Sequence, residues 1–166
     1  LGYKPEFKIM EPLQAKGLVE QAMADAGPAA MALGLDLVLD GIEKARNELR
    51  LPEALIADGK TANERLTGKT LVLYQERKKE RRLLDFNDII SFAVELLQND
   101  AEVGAYYCAK FRFVLIDEYQ DTNFAQYVLA RKLSSQTDNL FVVGDDDQSI
   151  YGWRGADIRN ILQFRE

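Results

Sequence analysis

Two clusters of acidic side chains each close a short apolar run in this 166-residue chain. Phe113–Ile116 leads directly into Asp117-Glu118, and Leu140–Val143 leads into Gly144-Asp145 and two further aspartates. A buried strand fixes the position of whatever follows it, so an acidic pair there emerges at the mouth of a sheet. One carboxylate of such a pair can hold a magnesium ion, directly or through water, because magnesium prefers oxygen ligands. The next can orient and deprotonate an attacking water. Together they make a Walker B arrangement, suited to hydrolysing a nucleotide phosphate. The plainer alternative is that Asp117-Glu118 simply begins a loop.

The second cluster carries more information. Asp145–Asp147 are followed at once by the neutral amide Gln148, then by Tyr151, Trp153 and Arg154 interleaved with Gly152 and Gly155. An amide can hydrogen-bond a terminal phosphate or its attacking water without adding negative charge. Exposed aromatic rings offer platforms for unstacked bases, worth roughly 1–3 kcal/mol per base. An arginine can meet a phosphate or stack beside a ring. Taken one at a time, Tyr151 and Trp153 also suit core positions, and Asp145–Asp147 a solvated turn. An apolar-Gly-Asp-Asp string also occurs in the metal-binding hairpin of RNA-dependent polymerases. There an apolar strand returns directly, whereas QSIYGWRG follows here.

Composition narrows the chemistry. No histidine is present, which removes Ser-His-Asp hydrolases, Cys-His proteases and His-ligated zinc. The single cysteine, Cys108, cannot form an internal disulfide and suits a reducing cytosol. Apolar residues at 47% and charged residues at 29% are ordinary for a soluble globular protein. No run approaches the roughly 18 uninterrupted apolar residues of a membrane span, and LGYKPEFKIM lacks the pattern of a signal peptide. The net charge of −6 leaves a nucleic-acid partner open, because binding depends on where the basic groups cluster.

The acidic clusters require a scaffold. Two continuous apolar runs, with a helix at Ala125–Leu133 between them, suggest a βαβ unit in a buried parallel sheet. Ligands of such sheets sit beyond the carboxyl ends of the strands, where both clusters fall. The preceding sequence reads as helical after a short strand within Phe7–Met10. Pro12 opens a helix to about Ala24, Gly27-Pro28 breaks it, and Leu35, Val38, Leu39, Ile42 and Leu49 form one stripe that Pro52 ends. Asp85 is placed to cap a helix in which Phe86, Ile89, Ile90, Ala93, Leu96 and Leu97 share a face. A division near Tyr106–Lys110 separates a helical region, 1–105, from an α/β region, 106–166.

DEYQDTN at 117–123 is similar to the acidic box of UvrD/Rep/PcrA-like superfamily 1 DNA helicases. VVGDDDQSIYGWRGAD at 142–157 closely resembles their third helicase motif, and LDFNDII at 84–90 resembles a segment upstream of the box. The resemblance implies that Asp117 binds magnesium, that Glu118 is the catalytic base and that Gln148 contacts the γ-phosphate of ATP. It implies that Tyr151 and Trp153 stack on single-stranded bases and that Arg154 lies on the DNA track. The implied fold is α/β: the C-terminal part of a RecA-like P-loop NTPase sheet, carrying a mainly α-helical insertion subdomain. The implied cofactors are ATP and Mg2+. The partners are single-stranded and duplex DNA and the remaining motor domains of a parent helicase unwinding 3′ to 5′, with no membrane involved.

ATP binding in that family also needs a P-loop, GxxxxGK[ST], whose backbone amides and lysine cradle phosphates. The nearest string, LTGKT at Leu66–Thr70, has Asn63 where the first glycine belongs and no buried strand before it. It reads as a decoy. The chain is therefore expected to be an excised piece of the first motor domain, inactive as an ATPase alone. A non-enzymatic single-stranded-DNA-binding module is the alternative, and a helical adaptor with relict motifs a third reading. The basic run Gln75–Arg82 reads either as a solvated helix face or as a DNA contact.

Overall fold

The computed structural model describes residues 2, 3, 6–152, 155–162 and 164. Packing divides the chain into two compact units, 1–89 and 90–166.

The first unit is helical apart from a two-stranded parallel seam. Strand β1 (Lys8–Ile9) pairs with β2 (Leu83–Leu84), Lys8 opposite Leu83 and Ile9 opposite Leu84. Between them run α1 (Pro12–Ala26), α2 (Pro28–Met31), α3 (Leu35–Asn47), α4 (Pro52–Asp58) and α5 (Ala62–Arg81). Proline occupies the first turn of α1, α2 and α4, where its missing N–H costs nothing. Gly27 ends α1 at φ 106, a conformation glycine adopts without strain. Buried Leu18, Met23, Val38, Ile42, Leu55 and Leu71 form much of the core, closed at the seam by Met10 and Leu83.

Two sequence expectations shift here. The stripe from Leu35 to Ile42 does face the core, but α3 ends before Leu49. The Leu49 N–H reaches the Arg46 carbonyl and the Arg50 N–H the Ala45 carbonyl, a Schellman stop with leucine at φ 54 where glycine is usual. Pro52 opens α4 rather than merely ending a segment.

Helix α5 is a single long helix, capped by Thr61, whose side chain accepts the Glu64 N–H at 3.1 Å. The string LTGKT lies inside it. A Cβ on Gly68 would stand 2.8 Å from Leu55 Cβ and 3.0 Å from the Pro52 carbonyl oxygen. This glycine lets α4 and α5 approach, and Thr70 turns its hydroxyl inward to the Leu66 carbonyl.

The basic run proves to be neither wholly solvated nor uniform. Lys78 is 0% exposed. Its ammonium donates to Asp85 Oδ2 at 2.7 Å and Asp88 Oδ2 at 2.6 Å, and lies 4.3 Å from the Tyr74 ring centroid. Arg46 pairs with the other oxygen of Asp88, and the Tyr74 hydroxyl donates to Asp85. Asp85 also accepts the Asp88 N–H at 2.8 Å, confirming it as the cap of α6 (Phe86–Asn99). Two cations thus neutralise one buried and one part-buried carboxylate, as burial of charge demands.

In the second unit, Asp100 caps α7 (Ala101–Lys110), which carries the buried Cys108. Strand β3 (Val114–Ile116), helix α8 (Phe124–Leu133) and strand β4 (Leu140–Val142) follow. The strands pair in parallel, Val114 opposite Leu140 and Ile116 opposite Val142, so the expected βαβ unit is present. A full capping box starts α8, with Asn123 and Gln126 each satisfying the other's backbone N–H. The strands are not sandwiched as a buried parallel sheet would be: Leu115 is 75% and Phe141 58% exposed. Two strands alone leave one side chain in two without a covering layer.

No helix among the described residues is long and apolar enough to cross a membrane. The chain is mostly helical with two small parallel sheets, an α/β arrangement.

Candidate nucleotide site and its link to the second motif

Asp117 and Glu118 stand at the carboxyl end of β3, where the extended run stops because Glu118 takes a left-handed conformation at φ 52. That turn sends the chain into a 3-10 turn, Tyr119–Asp121, instead of onward as strand. Both carboxylates are exposed, and the Glu118 N–H donates to Asp117 Oδ1 at 2.9 Å. Among the described residues no three or more His, Cys, Asp or Glu side chains converge as a cage. An ion held here would use Asp117, with phosphate oxygens and water completing its shell, which is how magnesium is usually bound. The exposed Asp117 suits that role, and Glu118 beside it can accept a proton.

The backbone after β4 comes alongside this turn. The Val143 N–H donates to the Ile116 carbonyl at 2.8 Å and the Tyr119 N–H to the Val143 carbonyl at 2.9 Å. The two acidic clusters are thereby brought side by side. Gln120, 1% exposed, lies between them. Its Nε2 donates to Glu118 Oε2 at 2.7 Å, and its Oε1 accepts the Asp145 N–H at 3.0 Å. A carboxylate can only accept and a backbone N–H can only donate, so these partners fix the amide's orientation. Asp145 in turn caps the 3-10 turn Asp146–Gln148 by accepting the Asp147 N–H, and its Oδ2 accepts Gln148 Nε2 at 2.6 Å. A continuous relay therefore runs from Glu118 through Gln120 and Asp145 to Gln148.

Gly144 makes this approach possible. A Cβ there would stand 2.5 Å from Gln120 Oε1 and 3.1 Å from the Tyr119 nitrogen. Tyr119 itself is fully buried, edge-on to Phe164, and burial raises its phenol above the ordinary tyrosine range. A cavity of about 500 Å³ opens past Gly144 and Asp146 but is otherwise lined by Val142, Ile161, Leu162 and Phe164. Its lining includes neither Asp117 nor Glu118.

The family model described as UvrD/REP helicase N-terminal domain matches residues 1–166. The chain belongs to the UvrD/REP helicase family. Proteins named ATP-dependent DNA helicase PcrA, from Staphylococcus epidermidis and Staphylococcus aureus, are each 36% identical to it over 166 residues. The match covers 100% of this chain and 23% of each relative, so the chain spans about a quarter of their length.

Within this UvrD/REP-family chain, Glu118 and Gln148 are joined through Gln120 and Asp145, Asp117 adjoins Glu118, and Tyr151 follows three residues after Gln148. Tyr151 is an exposed ring, not a core residue. Trp153 and Arg154 lie outside the described residues. Gln148 reaches Asp145, an engagement that sequence spacing did not suggest. Gln120 is the functional candidate that sequence reading left without a role. The one available signal was its type: an uncharged residue among Asp117, Glu118 and Asp121, able to donate to one acidic neighbour and accept from a backbone.

Proposed function

We propose that this chain is the hydrolysis-and-coupling portion of a longer ATP-dependent DNA helicase that translocates on single-stranded DNA and unwinds duplex 3′ to 5′. The observation that carries this reading is the relay joining Glu118 to Gln148 through Gln120 and Asp145. It ties a residue able to activate water to one able to sense a phosphate, and it continues along the chain into Tyr151, Trp153 and Arg154.

Magnesium-ATP, when bound, supplies the electrophilic phosphorus and the metal-polarised phosphate oxygens. Asp117 would hold the ion. Glu118 would take the proton of the attacking water, its carboxylate steadied by the Gln120 amide. Gln148 Nε2, bonded here to Asp145 Oδ2, would donate instead to a phosphate oxygen when nucleotide is bound, freeing that carboxylate oxygen while Asp145 Oδ1 keeps the Asp147 N–H. Tyr151 and Trp153 would stack on bases and Arg154 would meet the DNA backbone.

The remaining architecture supports the same reading. The exposed faces of β3 and β4 at Leu115 and Phe141 suit the interior of a larger RecA-like sheet. The helical unit leaves and returns through adjacent strands, β1 and β2, as an insertion subdomain would. LTGKT lies within a helix, which supports assigning the phosphate-cradling loop to another part of the longer protein. The setting we propose is the cytoplasm.

ATP turnover and unwinding of a 3′-tailed duplex by the full-length protein test this reading. Both should be lost in Glu118→Gln while ATP binding persists. The 1–166 chain alone should turn over no ATP; turnover that vanished in Glu118→Gln would overturn the proposed division of labour.

A further inference from the structure

The segment from Asp145 to Asp157 starts on the acidic box and also returns to it. Its entry is held by the Gln120 side chain. At its exit the Asp157 N–H donates to the Thr122 carbonyl at 2.9 Å. Asn160, at the start of α9 (Arg159–Leu162), adds its own Nδ2, which lies 3.0 Å from the same carbonyl and 3.2 Å from Thr122 Oγ1. The Thr122 hydroxyl in turn donates to the Tyr119 carbonyl at 2.7 Å. Asn160 and Thr122 are both only 8% exposed.

We propose that Asn160 is a positioning residue: with Thr122 it clips the exit of the 145–157 segment to the acidic box, so that box and DNA-facing segment move as one piece. This rests on the helicase reading above.

Three physical features carry it. Helix α9 is four residues long, far too short to persist by its own propensity, so tertiary bonds must hold it. The clip supplies them at a buried position, where a hydrogen bond is not easily exchanged for water. Entry and exit both attach to one short stretch, Gln120 and Thr122, at or beside the 3-10 turn that follows Glu118. A displacement of Glu118 therefore reaches both feet of the segment together. Without the Asn160 bonds the exit foot would hang on the Asp157 N–H alone, and the entry foot would carry most of the displacement.

The test uses the full-length helicase. Asn160→Asp preserves shape but turns the donor into an acceptor facing two acceptors. DNA-free ATPase and the KM for ATP should stay within about twofold of wild type. The DNA concentration giving half-maximal stimulation should rise at least tenfold, and strand separation per ATP should fall. Asn160→Ala, which removes the donor without adding charge, should shift the same way and serves if the aspartate variant does not fold. A purely structural role would lower basal and stimulated rates together, or leave both unchanged after folding; either result overturns the inference. If wild-type ATPase shows no stimulation by DNA, or survives Glu118→Gln, it is the helicase reading that fails.

Discussion

Gln120 donates to Glu118 and accepts from the Asp145 backbone, joining two acidic motifs through one buried amide. A carboxamide donates through its nitrogen and accepts through its oxygen, which is what these two partners require. Gln120→Glu would set a carboxylate against Glu118, and ATP turnover of the full-length protein should fall about 10- to 100-fold with little change in KM, less than the roughly 100- to 10,000-fold that loss of a general base itself costs. Steady-state kinetics decide it; an unchanged kcat would remove Gln120 from the relay.

Gly144→Ala should damage the same contact from the opposite side. The added methyl meets Gln120 Oε1, which is not free to swing because both ends of its amide are engaged. A loss of about 1–3 kcal/mol is expected from overpacking, read as a lower urea midpoint. ATP turnover should drop more than stability alone accounts for.

The LTGKT string separates packing from phosphate binding. Gly68→Ala should destabilise the chain by about 1–3 kcal/mol, because its Cβ would press on Leu55 and the Pro52 carbonyl. Lys69→Ala, at an exposed position, should leave both stability and nucleotide affinity unchanged. A true P-loop would show the reverse, with the lysine decisive for nucleotide. Urea denaturation and nucleotide titration of both variants distinguish the two.

The buried ion cluster should make the first unit acid-sensitive. Burial pushes the Asp85 carboxyl up, but Lys78, by charge and hydrogen bond, and Arg46 outweigh it and hold the folded value below the ordinary range. A depressed folded value stabilises the native state above the unfolded pKa, about 3.9, and that stability is lost as pH falls through the folded value. Unfolding free energy should therefore decline below about pH 4, and Asp85→Asn should flatten that decline. An Asp85→Asn protein whose urea midpoint tracks wild type from pH 6 to pH 3 would contradict it.

Local signals in the sequence were enough to place β3, α8, β4 and the capped start of α6, because each depends on a few neighbouring residues. They also exposed LTGKT as lacking a strand. What they could not carry was pairing at a distance. Lys78 looked like one more solvated cation in QERKKERR, since nothing nearby announces that Asp85 and Asp88 will enclose it. Gln120 and Asn160 were silent for the same reason: an amide's role is set by which backbone groups it meets. The exposed Leu115 and Phe141 are a different case, where apolar type pointed to burial that these two strands by themselves do not provide.

The seam between β1 and β2 also orders events in time. Lys8 and Leu83 stand at opposite ends of the first unit's sequence, so their pairing closes a loop that contains α1 through α5. Closing so long a loop carries a large entropic cost until the intervening helices have shortened it. The seam is thus expected to be the last part of this unit to form. The Met10 N–H, bonded to the Leu84 carbonyl at 2.7 Å, would be among the last amides to gain protection from exchange during refolding.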